Sequence, residues 1–423
     1  MTLRELTIEE FTDFVQNSPL ASHYQTINYA LLMGEYGYDY ELIGFVNEYN
    51  QIKAASLILI KTIKFHQKYG YAPKGFILDY FNQDLLKEFT ASLIEYYKKK
   101  HLVFIKINPE IAISEIDTLN GVKTYNWNYD IKDILEDNGY LKLKDNLYFE
   151  SILPRFSAVV SLKDYSINKI NKNTRNKIQR AKQKGLKIEL SEKSGIDILN
   201  NFIRKKKHTN EFYYKDYYNV FQRNDMIDLF LVSVDSQEYL LQSRALYETE
   251  SEKNSIYVDL LEHINNQKNI NKKMDSDRKV LAYKNDVELA TELNKIHDKI
   301  YIAGALVIKH QNRIQIIISG FDMRYRNFDA NYFLHHEILE YYKNSYDYAE
   351  LNGFTGDFSK ENPYNGLNQF KLGFQPRVYE YIGEYDLPIQ EKKYYKLRAN
   401  GSLAKIFNKT DIKTNKERVE KND

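Results

Sequence analysis

No cysteine occurs anywhere in the 423 residues, so disulfides, thiolate metal sites and a cysteine nucleophile are excluded. That fits a reducing compartment. Proline (7) and glycine (17) are scarce for this length, and from Ile196 to Ala303 there is neither, so nothing in that stretch breaks a helix. Tryptophan occurs once against 37 tyrosines, an excess that reads first as nucleotide bias in the coding sequence. Long hydrophobic runs are missing too: "AASLILI" and "IYIAGALVI" fall far short of the roughly 20 residues a bilayer crossing needs. Membrane contact is therefore expected to be peripheral. The amino terminus, "MTLRELTIEEFTDFVQ", carries acids and helical periodicity where a secretory signal needs a basic start and an apolar run, so a cytoplasmic location is expected. Neither sign of charge dominates, with 60 basic and 58 acidic residues, and local clusters carry the information instead.

The length suits two cores. Strands are expected at 40–49, 51–60 and 75–80, rich in β-branched and aromatic residues between polar turns. From Asp84 to Lys99 the period changes, with Leu85, Phe89, Leu93 and Tyr97 four apart as in an amphipathic helix, and 102–109 returns to strand. The same order recurs at 226–235, 301–310 and 313–321, a helix near 330–343, and 346–353. An internal duplication of an α/β unit explains both halves. The expected domains are 1–150, and 151–235 with 300–389, followed by a helix and charged tail over 390–423.

Residues 236–299 replace a short turn of the first copy. Leu240, Leu246, Leu260 and Ile264 on one side of "NNQKNIN", and Met274, Leu281, Leu289, Leu293 and Ile296 on the other, predict two helices folded back as an antiparallel coiled-coil arm. The other reading is a helical hairpin packed onto its own domain. The tail from Lys405 loses apolar periodicity and is expected to fray.

The strongest charge cluster is "NKINKNTRNKIQRAKQKG" (168–185), with no acid between Asp164 and Glu189. On a helix Lys177, Arg180 and Lys184 form one stripe, suited to phosphates or equally to a solvated face. "RKKKH" (204–208) adds a second basic knot. His335 and His336 are adjacent and lack the i+4 partner of a zincin pair, so no metal site is expected. G-x-S-x-G, G-x-x-x-x-G-K-[ST] and G-x-G-x-x-G are all missing, which argues against a serine hydrolase elbow, a P-loop enzyme and a Rossmann dehydrogenase. The R-x-x-G-x-G/A loop that holds acyl-CoA pyrophosphate is missing as well, so an acyl transferase of this order of elements needs another donor. Lys371 stands in "NQFKLGFQPRVYEYIGEYDLPI", a charge in a strand-like aromatic setting, either snorkelling from a strand edge or functional.

Three stretches together resemble the FemABX family of peptidyltransferases: "YAPKGFILDY" (71–80), "TRNKIQRAKQKGLKIEL", and "NGLNQFKLGFQPRVYEYIGEYDLPI" with its F-K-x-G-[FY] and E-Y-[IV]-G elements. The resemblance implies two tandem acetyltransferase-like (GNAT-like) α/β domains with an inserted arm, likened to the tRNA-binding arm of seryl-tRNA synthetase. It implies transfer of an amino acid, glycine most commonly, from aminoacyl-tRNA to a stem-peptide amine of a lipid-linked peptidoglycan precursor, with aminoacyl-tRNA as co-substrate and no cofactor. The enzyme would work at the inner face of the membrane, alone, as a homodimer or with related family members. Alternatives are a tRNA-dependent enzyme acting on a soluble acceptor, and a non-catalytic tRNA-binding scaffold.

The family's essential lysine falls on Lys371, with Phe370 beside it. Tyr325 and Tyr332 match aromatic residues of the acceptor channel, and Tyr214 and Lys215 lie where the family contacts the precursor's phosphates. Gln25 aligns with a recurring glutamine, whereas Met33 stands where many members have a lysine, a role for which Lys64 and Lys74 are the candidate substitutes. Arg175, Lys177, Arg180 and Lys184 are the candidate tRNA or phosphate contacts.

Overall fold

Each half of the chain builds one sheet, and each sheet borrows strands from the other half. The computed structural model describes residues 1–63, 67–203 and 211–403. Lys64, the basic knot at 204–208 and the tail from Lys405 lie outside the described residues. In chain order the strands are β1 (Thr2–Glu5), β2 (Asp39–Val46), β3 (Ile52–Thr62), β4 (Lys68–Ala72), β5 (Leu102–Ile107), β6 (Ala112–Ile116), β7 (Lys123–Tyr125) and β8 (Leu141–Lys142). They continue with β9 (Phe156–Ser161), β10 (Leu186–Ser191), β11 (Ile227–Asp235), β12 (Lys299–His310), β13 (Arg313–Phe321), β14 (Tyr348–Phe354), β15 (Arg377–Tyr381) and β16 (Tyr385–Pro388). The helices are α1 (Ile8–Gln16), α2 (Ile27–Gly34), α3 (Gln83–Lys99), α4 (Ile131–Asp137), α5 (Lys172–Gln183) and α6 (Gly195–Ile203). They run on through α7 (Glu211–Phe221), α8 (Ser236–His263), α9 (Gln267–Ile296), α10 (Ala330–Tyr342), α11 (Asn365–Leu372) and α12 (Glu391–Ala399).

The first sheet has the order β1-β2-β3-β4-β5-β16-β8 and the second β10-β11-β12-β13-β14-β9-β15-β6-β7. In each, three antiparallel strands are followed by a helix and a strand that pairs in parallel, β4 with β5 and β13 with β14. This is the duplicated α/β unit expected from the sequence. The matching "AASLILI" and "AGALVI" runs both fall in strands whose central residues are buried, β3 and β12. At Gly304 in β12 a Cβ would come within 3.0 Å of the Phe230 carbonyl oxygen, so the close β11–β12 approach requires glycine.

Two expectations need correction. The strand expected at 75–80 is instead a buried plug: only Ile77 bridges to Ala55, and the Tyr80 hydroxyl folds back on the backbone of Phe76 at 2.9 Å. Its apolar residues fill the core rather than pair, and the third strand is β4, whose apolar residues Tyr69, Tyr71 and Ala72 are also buried. Sheet membership also departs from a boundary at residue 150, because β6 and β7 join the second sheet through β15, and β16 joins the first through β5. One core crosses both halves, with Tyr29, Leu32, Met33 and Tyr36 packed in the same cluster as Tyr213, Tyr217 and Leu306.

Helices α8 and α9 run antiparallel, capped by Asp235 and Asn266, whose side chains accept from the backbone N–H groups of Glu238 and Asn269. Ser236 lies beside Asn294, Tyr239 hydrogen-bonds Asp286 at 3.1 Å, Glu250 accepts from Ser276 at 2.8 Å and Asn254 donates to Asp277 at 2.9 Å. The seam is thus largely polar. Met274, Leu281, Leu289, Ile296 and Ile264, expected to form it, are exposed; of the expected set Leu240 and Leu293 are buried at the base.

Candidate functional site

Lys371 lies in the last turn of helix α11, not in a strand. The aromatic spacing that looked strand-like is helical: Phe370 and Phe374 are four apart and pack edge-on at 5.6 Å, and Phe370 meets His335 of α10 at 4.8 Å. A cation in the last turn of a helix is favoured by its dipole. The lysine is only 6% exposed, and its Nζ donates to the Asn352 carbonyl at 3.1 Å and to the Gly353 carbonyl. Those carbonyls belong to a break in the β14–β9 ladder between Glu350 and Gly353, where Asn352 takes a φ of +64°. The bulge withdraws backbone acceptors from the sheet, and the ammonium satisfies them.

Lys371 and Phe370 line a cavity of about 720 Å³. It is lined by residues of β13 and β14, by Asn331 and His335 of α10, and by a group of tyrosines: Tyr24, Tyr29, Tyr213, Tyr214 and Tyr217. Burial pushes the hydroxyls of these five well up, so they stay neutral at physiological pH, with Tyr29 and Tyr213 hydrogen-bonded to each other. Two buried polar atoms of the lining, Asn331 Oδ1 and the Tyr217 hydroxyl, have no hydrogen-bond partner among the described residues. An unsatisfied buried acceptor costs about 1–3 kcal/mol, so a residue of the lining that keeps one is a candidate contact for a ligand donor.

The other candidates fall in several places. Tyr214 lines the cavity, whereas Lys215 points away and sits 3.7 Å from Asp197. Tyr332 is outside the lining, packed edge-on against Phe370 at 4.9 Å and holding Lys177, which donates to its hydroxyl at 2.8 Å. Tyr325 packs edge-on against Phe328 at 5.8 Å, also outside the lining. Gln25 is wholly buried: its amide donates to Pro73 O at 2.7 Å and accepts from Leu57 N–H at 2.8 Å, pinning β3 to the turn before Gly75. Met33 is core. On α5, Arg180 pairs with Asp329 at 2.7 Å and Arg175 donates to Asn168 O at 3.1 Å, while Lys184, the C-cap of α5, pairs with Asp286 of α9 at 2.8 Å. The basic stripe therefore braces α10 and the base of the arm.

Lys74 occupies a separate chamber of about 20 Å³, room for a single water, beside His23, Glu110, His310, Arg313 and Glu350. It is 3.6 Å from Glu110 and 4.2 Å above the Tyr381 ring, and Arg313 reaches the same carboxylate at 3.7 Å. Burial, then the Glu110 charge, raises the Glu350 carboxyl; burial, then Arg313, lowers His310 to about 4. Tyr24 borders both chambers.

Sequence reasoning missed Asn331, His335 and the bulge carbonyls of Asn352 and Gly353. The Asn331/His335 pair at i, i+4 was visible on the expected helix, but nothing in its pattern distinguished the cavity face from the Tyr332 face.

The FemAB family profile matches residues 6–400. The chain is 26% identical over 422 residues to aminoacyltransferase FemA of Staphylococcus epidermidis, covering 96% of this chain and all of that protein. It is 24% identical over 412 residues to aminoacyltransferase FemA of Staphylococcus aureus, covering 93% and 97%. Among solved structures, FemX superposes with a TM-score of 0.73 at 20% identity, over 94% of this chain and all of that one, which establishes a shared fold. With the duplicated sheets, the inserted hairpin and the profile match over nearly the whole described chain, this protein belongs to the FemAB family.

Proposed function

We propose that the protein is an aminoacyltransferase of cell-wall synthesis. It moves an amino acid, glycine, from aminoacyl-tRNA to an amine on the stem peptide of a lipid-linked peptidoglycan precursor and so builds the interpeptide bridge. The family membership and the FemA relatives support the reaction class. The observation that carries the reading is a buried ammonium, Lys371, on the wall of a cavity large enough for a peptide and lined by neutral hydroxyls.

An aminoacyl ester is already activated, so its aminolysis needs alignment, an unprotonated amine and stabilisation of developing negative charge. The amine nitrogen attacks the ester carbon, the bond to the tRNA 3′-oxygen breaks, and the proton lost by the nitrogen ends on that oxygen. Lys371 stabilises the oxyanion, fixed in place by two carbonyls rather than by solvent. Asn331 Oδ1 accepts an N–H of the attacking amine and turns its lone pair toward the ester, and Tyr214 and Tyr217 hold the acceptor peptide. The lipid-linked acceptor is met at the inner face of the membrane, and no helix among the described residues is long and apolar enough to cross it.

The test is incubation with a mixture of charged tRNAs and lipid-linked precursor, read by product mass. An increase of one glycine residue is expected. Transfer only to a soluble acceptor would move the reading to that substrate, and no transfer with any charged tRNA would leave a binding protein.

A further inference from the structure

The small chamber beside Tyr24 is short of acceptors. Of the residues that line it, His23, His310 and Arg313 each keep a buried nitrogen, Nε2, Nε2 and Nε, with no hydrogen-bond partner among the described residues. The Lys74 ammonium and the Arg313 guanidinium face the Glu110 carboxylate at 3.6 and 3.7 Å, beyond hydrogen-bond reach. Glu350 already accepts from Ser157 Oγ at 2.5 Å. Buried donors left without acceptors are costly, and this many around a space of about 20 Å³ call for one small acceptor between them.

The charge around that space has a sign. Lys74 and Arg313 bring two positive charges and Glu110 one negative, while burial, and then Glu110, pushes Glu350 toward its neutral form. Burial first, and after it His310, Lys74 and Arg313, lower the His23 imidazole, which registers a positive field. A metal cation is repelled there, and no group of three or more His, Asp or Glu side chains among the described residues is placed to hold one. A single water would fit but leaves the charge unbalanced, and a polyatomic anion is too large for the volume. A monatomic anion fits, accepts from every side and offsets the excess charge.

We propose that this chamber is a halide site that holds one chloride between Arg313 Nε–H, the Nε2–H groups of His23 and His310, and the Lys74 ammonium. The ion ties the two halves of the chain, since His23, Lys74 and Glu110 come from the first and His310, Arg313 and Glu350 from the second. It also backs the Lys371 cavity, because Tyr24 lines both.

The test melts the full-length chain in sodium gluconate, whose anion is too large for the chamber, and then with gluconate exchanged for chloride or bromide at constant ionic strength, which holds screening fixed. Tm should rise saturably with either halide. Arg313→Gln removes one charge-assisted donor and should raise the halide concentration at the midpoint about tenfold or more. Arg324→Gln, at an exposed arginine that pairs with Asp322 at 2.6 Å, should leave the midpoint unchanged. Parent crystals soaked in bromide should carry an anomalous peak in the chamber, a readout that needs no variant to fold. Equal melting in gluconate and chloride overturns the proposal. So does a rise that Arg313→Gln leaves intact, or a chamber that holds only water in the bromide-soaked crystal.

Discussion

Replacing Lys371 by methionine keeps the length of the side chain and removes its charge and its donors. The structural cost has two opposed parts. The Asn352 and Gly353 carbonyls, drawn out of the ladder at the β14 bulge, lose a shared donor, at about 1–3 kcal/mol each. Against this, an ammonium that is 6% exposed no longer has to be desolvated, which returns several kcal/mol in the other direction. The net change in stability is expected within about 2 kcal/mol of zero, a shift of only a few degrees in Tm for a chain of this size. The rate should behave differently. Removing a preorganised donor from a developing oxyanion costs about 10²–10³ in turnover, or about 2.7–4 kcal/mol of barrier. Single-turnover transfer from charged tRNA, with acceptor saturating, reads that loss in the chemical step, and a thermal melt reads stability on the same preparations. Lys371→Arg is the companion variant: it retains charge, but a planar fork does not fit where one nitrogen serves two adjacent carbonyls, so it should not restore the rate. A folded Lys371→Met protein that transfers within about threefold of the parent would refute the assignment and leave the lysine as a brace for the bulge.

Gln25→Leu should destabilise by about 2–6 kcal/mol, because Leu57 N–H and Pro73 O are left unpaired in the core, and should leave KM of the folded fraction unchanged; an altered KM with unaltered melting would restore a substrate role. Asn331→Leu removes an acceptor that has no partner among the described residues, so stability should hold or rise slightly while kcat/KM falls at least tenfold, and loss of both together would contradict the reading. For His310, the folded pKa of about 4 lies below the ordinary 6.5, so the unfolded chain binds more protons as pH drops through that window and the native state loses stability. That contribution is on the order of 3 kcal/mol in full. Glu350, raised by burial, acts in the opposite sense as it takes up its proton. Denaturant titrations of parent and His310→Gln between pH 7 and 4 should therefore converge as pH falls, and a difference independent of pH would refute the assignment.

The duplication and its strand order were legible because buried strands are written as β-branched runs and α3 as a four-residue repeat. Where the reading failed, a hydrophobic stretch served a purpose other than the one its period suggests. "GFILDY" is apolar because it plugs a core, and "QFKLGF" alternates like a strand only because its helical turn stacks two phenylalanines on His335. In the arm, leucines at heptad-like spacing announced a seam, but spacing cannot tell which partner the seam faces. The basic stripe on α5 was visible, whereas its acids, Asp329 and Asp286, are more than a hundred residues away and no local pattern links them. Lys371 was found as an oddity among aromatics; its anchoring carbonyls come from a bulge, a backbone feature with no side-chain signature.

The exchange of β16 bears on how the chain is made. The amino-terminal sheet cannot receive β16, nor β8 beyond it, until residue 388 has left the ribosome, 238 residues after position 150 (388 minus 150). At the roughly 5–20 residues per second of bacterial and eukaryotic translation, that is a wait of roughly 12–50 s with the free edge of β5 exposed. The nascent amino-terminal half is therefore a natural client for a ribosome-associated holdase. A gene fragment ending near residue 150 should yield not a small stable domain but a chain with an open β edge.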